Sequence, residues 1–344
     1  MALTTIRPEG LGFVNGRRNL IINGAMQVAQ RGTSATGVTT SGYKTVDRFR
    51  ASESGLGTAV FTHAQATDAP DGFANSLKLT TTTAEGAVGA DDRLSITYAI
   101  EGQDLQHLQY GTSSAKKVTL SFYVKSSLTG TYSIALYATN ASNRLITSTY
   151  AINSANTWEL KTITFDGDTS VAFTNDNTAG LTIYFNLGAG SDTTSTDSTS
   201  WIGYASTGLA YGQTAQFQNT LNATWQITGV QLELGTNASD FEHRSFGDEL
   251  ARCQRYYEGS ELSNPISWSG DVTNGNTYWD VISYTVEKRA SPTITIGTEF
   301  AKNGFSGTPS TAWIREKSFR ASAVSNSTTN GAYFVFAFTA DAEL

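Results

Sequence analysis

From Lys117 to Ser127 the chain reads KVTLSFYVKSS, in which Val118, Leu120, Phe122 and Val124 alternate with Thr119, Ser121, Tyr123 and Lys125. A period of two puts all four apolar side chains on one side of an extended backbone, which the 3.6-residue period of a helix cannot do. The same period recurs at Tyr132, Ile134 and Leu136, and again at Leu181, Ile183, Phe185 and Leu187. Repeated half-buried strands of this kind predict two antiparallel sheets packed face to face. Aromatic residues at 11% and 32 glycines suit strands punctuated by turns.

Thr224 to Gly235 departs from simple alternation. Trp225 and Ile227 share one parity, and Val230, Leu232 and Leu234 share the other. A β-bulge at Gly229 supplies the extra residue that keeps both sets facing the core. The polar run Gly188 to Ser200 reads as a flexible surface tip.

At 344 residues the chain exceeds one domain of usual size. The expected division is an arm at 1–18, a large sandwich at 19–244, a linking helix at 245–258 and a small β-domain at 259–344. In the last region, Tyr333, Val335 and Ala337 alternate with Phe334, Phe336 and Phe338. A strand apolar on both faces in so small a region predicts packing against further copies of the chain.

One segment reads as a helix, FGDELARCQRYYE from Phe246 to Glu258. Ser245 and Asp248 have capping-box spacing, and acidic residues precede basic ones, as the helix dipole favours. Phe246, Leu250, Cys253 and Tyr257 are spaced by 4, 3 and 4 residues, the narrow stripe of a coiled-coil seam. A helix this short must dock on something. These four residues are therefore expected to line an axial joint between copies.

The formal charge of −7 and pI near 5.0 exclude nucleic acid as the main partner, because phosphate neutralisation needs clustered cations. A single cysteine excludes an internal disulfide and Cys-type zinc sites. No segment approaches the ~18 apolar residues of a membrane span, and the N-terminal stretch lacks the apolar core of a signal peptide. Synthesis in a cytoplasm without membrane insertion is the expectation.

No catalytic pattern emerges. His63, His107 and His243 lack a second ligand at metal spacing. Asp91, Asp92, Glu159, Asp166, Asp168 and Glu233 are candidates for a glycosidase pair, but sequence spacing cannot place two carboxyls across a cleft. Nucleophile elbows, phosphate loops and dinucleotide fingerprints are missing from the sequence. Binding without catalysis is therefore expected. Aromatic side chains remain as sugar-stacking candidates. Trp268 and Trp313 lie in loop-like contexts of the C-terminal region, and Trp201 follows the Thr/Ser-rich run. Trp225 has core parity.

NLIINGAMQVAQRGTS, YKTVDRFR, VQLELGTNASDFEHRSFGDELARCQRYYE and TADAEL together resemble a tail fibre or receptor-binding protein of tailed bacteriophages. The resemblance spans Asn19 to Glu258 and the last strand. It implies a jelly roll like a carbohydrate-binding module, a short helix and a small C-terminal β-sandwich or barrel-like domain, assembled as a homotrimer on the virion. It further implies a distal end that meets host surface polysaccharide and an arm, with Arg7, Arg17 and Arg18, that contacts other virion proteins. Jelly rolls resembling this one often carry a structural calcium, but no ligand pattern assigns a position here, and no other cofactor is expected. The short arm departs from the family pattern and favours an alternative, a decoration fibre on capsid or tail. A glycan-degrading tail spike is the second alternative.

Overall fold

The computed structural model describes residues 18–140, 142–260 and 266–344. Arg7 and Arg17, with almost all of the expected arm, lie outside the described residues.

The alternating runs pair as antiparallel strands in two large sheets. One has six strands in the order Ser34–Val38, Val60–Ala66, Ser76–Thr83, Thr224–Leu234, Val118–Ser126 and Glu159–Phe165. The other has seven, in the order Ile202–Gly203, Arg144–Ile152, Gly130–Ala138, Ala179–Ala189, Arg93–Glu101, Arg50–Ser54 and Gly42–Tyr43. Strands distant in sequence lie side by side, as Ser76–Thr83 does with Thr224–Leu234, so the chain crosses repeatedly between sheets. The result is the expected jelly-roll β-sandwich. The alternating residues interdigitate between the layers. Phe122 meets Phe185 edge-on at 5.5 Å and Tyr150 at 5.2 Å, and Trp225 is fully buried beside them.

The predicted bulge is present. Register slips between Thr228 and Gln231, and Gly229 has φ +62°. A Cβ there would stand 2.7 Å from the Phe73 ring, so both backbone angle and space require glycine. Trp225, Ile227, Val230 and Leu232 all reach the core, but Leu234, at the end of the strand, is exposed.

The 188–200 run is not a free tip. It folds back over the seven-stranded sheet, where Thr193 and Ser198 are buried and the Ser198 hydroxyl lies 2.6 Å from that of Thr147. Its hydroxyls satisfy the outer face of the sheet, which explains a polar sequence in a buried place.

Two smaller sheets follow. Thr329–Asp341 is central in the first, flanked on one side by Tyr257–Gly259 and Ile266–Val272 and on the other by Thr293–Asn303. The second has three strands in the order Thr277–Ser283, Ser318–Val324, Ser310–Ala312. They enclose one core, including Ile282, Phe305, Phe319, Phe334, Phe336 and Phe338. The long terminal strand therefore buries its even-numbered face within the chain. Its odd-numbered face is half-covered, with Tyr333 exposed.

The helix, Phe246–Gln254, is capped as predicted, with the Ser245 hydroxyl accepting from the Asp248 amide. Most of its apolar stripe is covered within the chain itself. Cys253 is fully buried against Ile22, Val28 and Tyr256, and Leu250 and Leu344 pack on the same cluster. Tyr257 lies beyond the helix in a strand, with the Arg31 guanidinium 3.5 Å above its ring. Of the four stripe residues only Phe246 is exposed. A narrow stripe suffices here because the helix fits a shallow site on its own sandwich, where polar groups complete the contact: Glu249 accepts from the Asn23 amide at 2.5 Å.

Around this helix the small sandwich is locked to the large one by buried charge. Arg48 pairs with Glu343, Arg255 and Tyr256 both donate to Glu101, and Arg31 bridges Asp47, Asp341 and Glu343. Burial pushes the Glu101 carboxyl up, but the donors Arg255 and Tyr256 outweigh it and hold the group below its usual range. Arg289 donates to the carbonyls of Asn177, Ala342 and Glu343. The four segments that carry the family resemblance all converge on this joint.

Candidate functional site

The three-stranded sheet has one face in the small core and one in solvent. Ile282, Phe319, Ala321 and Ala323 point inward. The alternate residues point out, and the register sets Trp279 opposite Ser322 and Val281 opposite Arg320, with Ala312 on the other side of Arg320. Trp313 follows directly in the left-handed conformation at φ +50°, which turns its indole back over the sheet. Arg320 then lies between two indoles. Its guanidinium carbon is 4.3 Å from the Trp313 ring centre and 5.9 Å from that of Trp279.

The indoles are open to solvent. Trp313 is 64% exposed, Trp279 53%, and Val281 and Val324 48% each. Large apolar side chains exposed singly are ordinary, but four on one sheet face are not. Hydroxyls lie among them: Ser310 and Ser322 are 3.0 Å apart at the Trp279 end. Flat apolar surface with hydroxyl and guanidinium groups at its edge matches a pyranose, whose axial C–H face stacks on a ring while its hydroxyls bond sideways.

The predicted tryptophans separate. Trp313 is on this face. Trp268 is not a loop residue; it lies in the strand Ile266–Val272, stacked on Phe334 at 5.8 Å with Phe305 edge-on at 5.3 Å. It belongs to the small core. Trp201 is half-buried, its indole N–H bonded to the Asp166 carbonyl at 2.6 Å and its ring against Tyr110, which makes it packing for the sandwich. Trp279 was missed. Its signal was available in YWDVISY, where Tyr278 and Ile282 share the parity that goes inward and Trp279 takes the other.

Two other surfaces compare less well. Tyr137, Tyr184 and Tyr204 cluster on the seven-stranded sheet, but Tyr204 covers Tyr137 at 4.5 Å and only Tyr204 is exposed. A 380 Å³ cleft where the large sheets part is lined by Thr131, Thr147, Thr149, Thr164 and Asp166, without an exposed indole.

Five of the six weighed carboxylates are engaged in separate structural contacts. Asp168 pairs with Arg144 at 2.8 Å, Glu159 with Lys161 and Asp166 with Lys117 at 2.5 Å each. Glu233 accepts from Ser239, and Asp92 from the Gly89 amide. Hydrogen bonds from Lys161, Ser154 and Asn153 outweigh burial and hold Glu159 down at about 2. Among the described residues no three His, Cys, Asp or Glu side chains are grouped to hold a metal, so the calcium of similar jelly rolls is assigned no site. No described helix is long and apolar enough to cross a membrane. Arg18 lies at the surface, donating to the Asp240 carbonyl at 3.1 Å.

Three solved structures illustrate what the chain is similar to. The first is the enzymatically active domain of tailspike protein 4 from bacteriophage CBA120, at 13% identity and TM-score 0.35, covering 63% of this chain and 21% of that one. This chain thus spans about a fifth of the tailspike domain. The second is a family 11 carbohydrate-binding module from Clostridium thermocellum in complex with a mixed-linked tetrasaccharide, at 11% identity and TM-score 0.29, covering 61% and 98%. The third is a CBM61 module in complex with β-1,4-galactotriose, at 9% identity and TM-score 0.30, covering 63% and 99%. No family model matches the sequence, and no curated protein matches it.

Proposed function

We propose that the chain is a bacteriophage virion fibre protein that binds host surface glycan, and that the Trp279–Trp313 face of the C-terminal sandwich makes the contact. The observation that carries the glycan reading is the pair of open indoles flanking Arg320 on one flat sheet face. Binding without hydrolysis is part of the proposal, since five of the six carboxylates weighed above serve structural pairings. The virion setting and the homotrimer come from the sequence resemblance. Because that resemblance sits in the joint between the sandwiches, it speaks for architecture and leaves the receptor open.

The test pairs purified protein with host cells and isolated surface polysaccharide. The wild type is expected to bind both, and a Trp279→Ala/Trp313→Ala variant with an unchanged circular dichroism spectrum is expected to bind neither. A double variant that binds like the wild type would sink the assignment of the face. Light scattering should give three 36.8 kDa chains per particle. The decoration-fibre alternative would be favoured if the protein sits on the virion but ignores every host glycan.

A further inference from the structure

We infer that the Trp279–Arg320–Trp313 face selects acidic saccharides, with Arg320 holding a sugar carboxylate while an indole stacks the ring. The inference rests on the glycan-binding reading of this face. Arg320 forms no ion pair among the described residues, and its Nε is shielded from solvent and without a hydrogen-bond partner there. Among the described residues, Arg31, Arg48, Arg144, Arg244, Arg255 and Lys288 each meet a carboxylate, whereas the half-buried Arg50, Arg93 and Arg289 share with Arg320 the lack of one. Arg320 is instead held between ring faces, which fix the guanidinium plane without consuming its in-plane donors.

A guanidinium oriented this way offers two parallel N–H groups along one edge, the geometry that binds a carboxylate bidentately. The Nε is shielded, so the edge a ligand can reach is the one formed by the two Nη groups at the tip of the side chain. The charges near the face are mixed, with Asp280 exposed on the paired strand beside Trp279, and the chain as a whole is negative. Arg315 lies in the same hairpin, and its neighbour Glu316 is already engaged by the Ser291 hydroxyl at 3.0 Å. A neutral hexose would leave the Arg320 donors to water, whereas a uronate or sialate would fill them. The Trp279 and Trp313 rings are spaced on either side of that charge, so ring stacking and carboxylate pairing act on the same sugar or on adjacent ones.

Titration of tryptophan fluorescence with oligogalacturonate, a hyaluronan tetrasaccharide and oligosialate, each beside its carboxyl-reduced form, tests this. At least one acidic probe is expected to bind roughly tenfold more tightly than its reduced form, in keeping with a charge-assisted pair. Raising salt should narrow that gap. In Arg320→Gln the gap should vanish while binding of the reduced form persists; Arg320→Lys should keep part of it. Equal binding of acidic and reduced probes, or a gap that survives Arg320→Gln, overturns the acidic preference and leaves the glycan-binding reading standing. Absence of any response to host polysaccharide in the wild type overturns the glycan-binding reading itself.

Discussion

Arg48 and Glu343 stand 295 positions apart and form an ion pair in which both side chains are buried. Arg48 also donates to the Ala99 carbonyl at 2.7 Å and lies 3.4 Å over the Tyr256 ring. A charge taken from water is stabilised only while its partner is in place. Glu343→Ala strands the guanidinium and is expected to cost about 3–5 kcal/mol in denaturant unfolding. Arg48→Met/Glu343→Leu should recover much of that loss. A single substitution costing under ~1 kcal/mol, the value of an exposed pair, would show that water reaches the joint.

Trp268 and Trp279 should separate stability from binding. Trp268→Ala empties a site stacked between Phe334 and Phe305 and is expected to lower stability by about 3 kcal/mol while leaving glycan affinity near normal. Trp279→Ala is expected to reverse the pattern, with affinity down by about 2 kcal/mol and stability within ~0.5 kcal/mol. Calorimetric binding and melting curves on the same preparations decide it. Loss of affinity in the first variant with none in the second would move the site.

Leu250→Asp separates a docked helix from an oligomer seam. A carboxylate placed against Ile22, Val28 and Tyr256 should loosen the helix at a cost of about 2–3 kcal/mol, with particle mass by light scattering unchanged. Dissociation into single chains of unaltered stability would restore the seam.

Two buried groups give opposing pH dependences. Burial lowers His63 to about 4 from 6.5, so the folded state resists its protonation; the stability present above pH 6.5 is lost as pH falls towards 4. Burial raises Asp47 to about 6 from 3.8, so its contribution is full below 3.8 and is lost as pH rises through 6. Between pH 4 and 6 the two nearly cancel. His63→Leu should therefore leave a protein that gains stability on acidification across this window, and Asp47→Asn one that loses it, by about 2 kcal/mol at pH 5 for an unopposed His63. Urea midpoints at half-unit pH steps provide the check, and parallel profiles in both variants would contradict it.

The large sandwich was legible because its strands alternate cleanly, and Gly229 because a parity switch beside a glycine has one economical solution. The stripe Phe246, Leu250, Cys253, Tyr257 shows that a face is apolar and is silent on what covers it; Cys253 and Leu250 are covered by residues of the same chain. Glu249, on the same helix, is the better clue in hindsight: a buried carboxylate needs a specific donor, here the Asn23 amide. Trp268 was read as a loop residue, and Trp279 passed over, for a related reason. The Ser, Gly and Asp residues around Trp268 look loop-like, but the strand they form pairs with Thr329–Asp341, which lies far off in sequence. Nothing local encodes that pairing. The charge joint was invisible for the same cause, since Arg48 and Glu343 meet only in space.

The fully buried Cys253 thiol, which burial pushes well above its ordinary range, is a built-in clock. A thiol reagent can reach it only when the helix lifts from Ile22 and Val28, so the labelling rate counts those openings. Because the same helix lies within the charge joint, that rate reports how often the two sandwiches begin to part, without any engineered probe.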